Sequence, residues 1–95
     1  MINKQEILKI LKEQKLLFNI DKFILFGSYA TDRFTENSDV DIAYIPQENT
    51  KLTFERYLEL EDRLKQKLKT TIDLMSFDKL NPLVKLHARK DFIYV

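Results

Sequence analysis

The segment FILFGSYATDRFTENSDVDIAYI, residues 23–45, holds the only glycine of the 95-residue chain, Gly27. It also places two aspartates, Asp39 and Asp41, at alternate positions inside an apolar run. Side chains of a strand alternate between faces, so Asp39 and Asp41 project one way while Val40, Ile42 and Tyr44 project the other. Two like charges held a few ångströms apart beside a core repel and lose hydration. Such a pair is stable where that face is wet or where a cation binds. A glycine that closes the apolar run 23–26 marks a turn at which the backbone comes close to something. A strand, a tight turn and a second strand with carboxylates on one face are therefore expected.

The rest of the composition sets the bounds. Ninety-five residues predict one domain, spanning 1–95, near the lower end of what buries its own core. With 44% hydrophobic and 12% aromatic residues, there is enough apolar material for a folded chain. Sixteen basic against fifteen acidic residues leave a net charge of +1, which gives no bulk attraction toward nucleic acid or membrane. The absence of cysteine excludes disulfides and thiolate metal sites, and fits a reducing cytoplasm. The opening MINKQEILKILKEQK carries charges throughout, unlike a signal peptide, and no apolar run approaches the roughly 20 residues of a membrane span. A soluble cytoplasmic domain is expected.

Periodicity gives the elements. Residues 3–18 read as an amphipathic helix, opened by Asn3 with Glu6 three residues on, and with Ile7, Ile10, Leu11 and Leu17 at helical spacing. Residues 23–26 and 40–45 are strands, the second stopped by Pro46. Thr53 caps a helix to about Lys69 with Tyr57, Leu60, Leu64 and Leu68 on one stripe. TTIDLMSF, residues 70–77, is a third strand. Residues 78–90 predict a turn and short helix with Pro82 in its first turn, and FIYV closes as an edge strand. The order is that of an α+β fold, a small mixed sheet with helices packed against it.

Asp73 interrupts its strand as Asp39 and Asp41 interrupt theirs, and a neighbouring strand could bring all three together. Hard divalent cations such as Mg²⁺ take oxygen ligands and keep positions open for phosphates, and three carboxylates can hold two ions for displacement at phosphorus. Gly27 and Ser28 complement them. A strand ending in glycine lets the backbone approach a phosphate, and the Ser28 hydroxyl adds a contact.

With these residues in place, GSYATDRFTENSDVDI resembles the Gly-Ser, ten residues, Asp-x-Asp signature of the polymerase β-like nucleotidyltransferase superfamily. Length and layout are similar to its minimal nucleotidyltransferase branch, which includes MntA-type antitoxins paired with HEPN-domain toxins. The resemblance implies that Gly27 and Ser28 hold the triphosphate of ATP, and that Asp39 and Asp41 bind Mg²⁺. It implies that Asp73 completes the site for two ions and helps deprotonate the acceptor hydroxyl. It further implies transfer of AMP, with pyrophosphate leaving, to a tyrosine of a HEPN toxin. Members often carry Ala-Arg-Gly after the Gly-Ser-x opening, where this chain has Ala30-Thr31-Asp32 and Arg33 displaced by two positions. That departure favours the alternative, a module that neutralises its partner by binding alone. Transfer to RNA or a small molecule would use the same chemistry, and the near-neutral charge weighs against RNA. Ser38 is expected to order its loop, and His87, with Lys85, Arg89 and Lys90, to lie on a solvated face. Tyr29 either packs beside the nucleotide or covers the core.

Overall fold

The computed structural model describes residues 2–95. Asn3 starts the first helix as its spacing from Glu6 predicts. Its Oδ1 accepts from the Glu6 N–H at 2.9 Å, and helix α1, Lys4–Leu17, follows. Strands β1 (Ile20–Phe26) and β2 (Val40–Pro46) come next, joined through a short 3₁₀ turn at Gly27–Tyr29 and a loop. Thr53 caps helix α2, Phe54–Leu68, by accepting from the Arg56 N–H at 3.2 Å. The helix stops where Lys69 turns left-handed, at φ +54°. Strand β3 (Ile72–Ser76), helix α3 (Pro82–Ala88) and strand β4 (Ile93–Tyr94) complete the order.

The strands form one mixed sheet in the order β3-β2-β1-β4. β1 runs antiparallel to both β2 and β4, whereas β2 and β3 are parallel, with α2 as the crossover between them. On one face, Phe23, Leu25, Val40, Ile42 and Leu74 pack against Ile7 and Leu11 of α1 and Leu60, Leu64 and Leu68 of α2. On the other, Ile24, Phe26 and Ala43 lie under Leu80 and Phe92, with Val84 and Ala88 of α3 beside them. β1 is thus covered on both sides, which is why FILF reads as an unbroken apolar run.

Two details depart from what the sequence predicts. β1 begins at Ile20, which is buried, although the exposed pair Asp21 and Lys22 and a register shift between Ile20 and Lys22 break the apolar pattern. Leu17 is 54% exposed and does not join the core stripe of α1. The end of that helix is held instead by Arg56, whose Nη2 donates to the Leu17 carbonyl at 2.8 Å while its guanidinium lies 4.2 Å from the centre of the Phe18 ring. The segment 78–90 forms the turn and short helix expected of it. A 3₁₀ turn, Phe77–Lys79, precedes α3, and a second, Arg89–Asp91, follows it. The Asn81 side chain accepts from the Leu83 N–H at 2.8 Å, with Pro82 in the first turn as predicted.

Candidate active site

β1 ends at Gly27, where the backbone takes φ +75°, a conformation that side chains disfavour. β2 brings Asp41 opposite Phe26, the residue just before it. A Cβ built on Gly27 would stand 3.1 Å from Asp41 Cγ, 3.3 Å from Asp41 Cβ, and well inside contact distance of Oδ2. The one glycine of the chain is therefore where it must be for two reasons. It accepts the positive φ, and it lets a carboxylate lie against the main chain.

The parallel register sets Asp41 directly beside Asp73 of β3. Asp39 precedes β2 on the same face, two residues away. Burial pushes the Asp41 carboxyl up to about 6, and the neighbouring Asp73 and Asp39 push it the same way. Asp73 and Asp39 are exposed, and Asp39 Oδ1 accepts a hydrogen bond from the Thr71 hydroxyl. Among the described residues, no three acidic or imidazole side chains yet stand at the spacing of a shared ion. The three aspartates share a face and an electrostatic neighbourhood, and Asp39 is turned aside toward Thr71. That threonine was missed by the sequence reading because it lies 32 residues away and only the β2–β3 pairing makes it a neighbour.

The turn after Gly27 is tightly bonded. The Gly27 carbonyl accepts from the N–H groups of Ala30 at 3.1 Å and Thr31 at 3.3 Å, and the Ser28 carbonyl from the Arg33 N–H at 2.9 Å. Asp32 stands at φ +61°. This is the position at which the resemblance predicts glycine, and aspartate tolerates left-handed geometry better than most residues. Lys4 of α1 holds it in place, with Nζ 3.0 Å from Asp32 Oδ1 and 3.2 Å from the Ala30 carbonyl oxygen. Asp32 thus takes a left-handed position of the kind glycine accepts, with an acidic side chain where the motif has none. Tyr29 is buried and stacks on Phe34 with centroids 4.3 Å apart, so it covers the core. Ser38 orders its loop as expected, accepting from the Thr35 N–H at 2.9 Å. His87 is exposed.

The polymerase beta nucleotidyltransferase family matches residues 5–94. "Putative protein adenylyltransferase MJ1379" of Methanocaldococcus jannaschii is 40% identical over 88 residues, 92% of this chain and 85% of that protein. A toxin-antitoxin crystal structure with AMP-PNP superposes with a TM-score of 0.64 at 26% identity, covering 87% of this chain and 64% of the other. A complex of a tri-AMPylated Shewanella oneidensis HEPN toxin with an MNT antitoxin gives 0.65 at 20% identity, covering 98% of this chain and 71% of the other. At that identity the likeness is one of fold. Through residues 5–94 the chain belongs to the polymerase beta nucleotidyltransferase family.

Proposed function

We propose that this chain is a Mg²⁺-dependent protein adenylyltransferase, moving AMP from ATP to a tyrosine hydroxyl of a HEPN-type toxin and acting as the antitoxin of the pair. The observation that carries the reading is the apposition of Gly27 and Asp41 beside Asp73. A fold that needed only stability would not set a half-buried carboxylate against bare backbone and next to a second carboxylate. The names of the curated relatives support protein adenylylation, and the solved complexes support a toxin partner.

The donor set suits a hard divalent ion, since carboxylate oxygens are its preferred ligands, and the Asp41 carboxyl, raised first by burial and then by its Asp73 and Asp39 neighbours, carries a charge that a cation would stabilise. Asp39, Asp41 and Asp73 would hold two such ions once Asp39 leaves Thr71. Bound Mg²⁺ would supply neutralisation of the triphosphate and of the leaving pyrophosphate. The Gly27 backbone and the Ser28 hydroxyl hold the β- and γ-phosphates. Asp73 takes the proton of the acceptor hydroxyl as that oxygen bonds to the α-phosphorus, and the bond from the α-phosphorus to the bridging oxygen breaks to release pyrophosphate. Positioning and charge neutralisation provide most of the acceleration.

Incubation with ATP, Mg²⁺ and the protein encoded beside it, read by mass spectrometry, tests this. A gain of one or more adenylates on the partner is expected, and Asp39→Asn with Asp41→Asn should abolish it while leaving the fold intact. The second reading, neutralisation by binding alone, draws on Thr31 and Asp32 in place of Arg-Gly. Tight binding with no adenylate gained would establish it in place of the first.

A further inference from the structure

β3 is an edge strand of the sheet, and it carries Asp73. The Val40 N–H donates to the Thr71 carbonyl at 3.0 Å, which fixes the parity of the strand. Thr71, Asp73 and Met75 turn their backbone groups toward β2, so Ile72, Leu74 and Ser76 turn theirs to the outer edge. There the Leu74 carbonyl accepts from the Tyr57 hydroxyl at 2.6 Å, a side chain standing where a strand partner's N–H would be. Against the same edge lies a groove of about 410 Å³ whose walls include Leu52, Phe54, Tyr57 and Met75. Phe54 is 73% exposed, and its ring lies nearly parallel to that of Tyr57, 6.5 Å away.

We propose that the acceptor is an extended polypeptide segment that adds to the outer edge of β3, with its hydroxyl side chain beside Asp73 and an apolar side chain in the Phe54 groove. This rests on the transferase reading above and specifies how that site receives its substrate. A polypeptide is favoured over other hydroxyl compounds because the edge offers outward backbone groups at Ile72 and Ser76, and at Leu74 once an incoming N–H displaces the Tyr57 hydroxyl, next to an apolar slot, the two features that recognise an added strand. The proposal fixes a spacing. Tyr57, on which Phe54 stacks, belongs with Leu74 and Tyr44 to the side covered by α1 and α2, whereas Asp73 faces the side that carries α3, as does Met75 of the groove wall. Side chains alternate along a strand, so the anchor and the tyrosine are separated by an odd number of residues. The groove reaches Ser76, about 10 Å along the strand from Asp73, which makes three the best spacing.

The test uses tyrosine peptides of roughly ten residues, otherwise small and polar, with one phenylalanine two or three positions from the tyrosine on either side. On adding a peptide of three-residue spacing, amide exchange at Ile72, Leu74 and Ser76 should slow, and the peptide should accept AMP. The two-residue spacing should do neither. Ser76→Pro removes one outward N–H at a residue whose φ is already −67°, and Phe54→Ala empties the groove from an exposed position. Each should raise KM for the peptide about tenfold while affinity for AMP-PNP holds. Absence of slowed exchange with every peptide, or wild-type transfer by both variants, overturns strand docking. Slowed exchange without transfer would instead sink the transferase reading and leave the docking intact.

Discussion

At Gly27 the main chain takes φ +75° with the Asp41 carboxylate lying against the place a Cβ would fill. Gly27→Ala must therefore strain the backbone and swing that carboxylate aside. We expect a loss of about 1–2 kcal/mol in urea unfolding, and loss of adenylate transfer out of proportion to it. Asp41 behaves in the opposite sense. Its folded-state pKa, about 6, lies above the ordinary 3.8, so the fold favours its protonated form. That stabilisation is complete below pH 3.8 and is lost as pH rises through 6. Asp41→Asn stays neutral throughout, so it should gain on the metal-free wild type between pH 4 and 7 in thermal melts while losing transfer. If the two melting profiles run parallel across that range, the carboxyl is not strained. Mg²⁺ competes with the same proton, and its affinity for the wild type should fall as pH drops through about 6.

Among the elements, the turn 27–33 holds two positive-φ residues, Gly27 and Asp32. Asp32 sits at φ +61°, so Asp32→Gly should change stability by a few tenths of a kcal/mol, while Asp32→Val should cost about 1–2 kcal/mol. Helix α2 depends on Thr53 at its start, and Thr53→Ala should cost about 1 kcal/mol by chemical denaturation. Much of this was legible in the sequence. The capping residues Asn3 and Thr53, the stripe Leu60, Leu64, Leu68 and the alternation of Asp39 and Asp41 all act through near neighbours along the chain. The start of β1 at Ile20 was hidden because exposed Asp21 and Lys22 interrupt the pattern. The closeness of Asp41 to Gly27 was hidden for another reason. It depends on the register across a long loop, and periodicity within a strand carries no information about register between strands. The Thr71 hydroxyl on Asp39 and the salt bridge from Lys4 to Asp32 were illegible on the same ground.

For the molecule as a whole, the sheet has two unequal coverings. The face under α1 and α2 holds most of the buried side chains, and Leu60→Ala in its middle should cost about 2–5 kcal/mol, measured by urea unfolding. The opposite face is roofed over Ile24, Phe26 and Ala43 by residues drawn from 77–92, leaving the carboxylate end open for chemistry. This division has a consequence for how the protein is made. A ribosome releases β1, β2 and β3 before the residues that roof their second face, and β4 must return to pair with β1 near the other end of the chain. Until those residues emerge, the nascent sheet shows Ile24 and Phe26 to the surrounding solution, together with an open flank on β1. In the interval between the emergence of Ser76 and of Tyr94 from the ribosome, that uncovered face leaves the young chain open to misassociation and to capture by a chaperone.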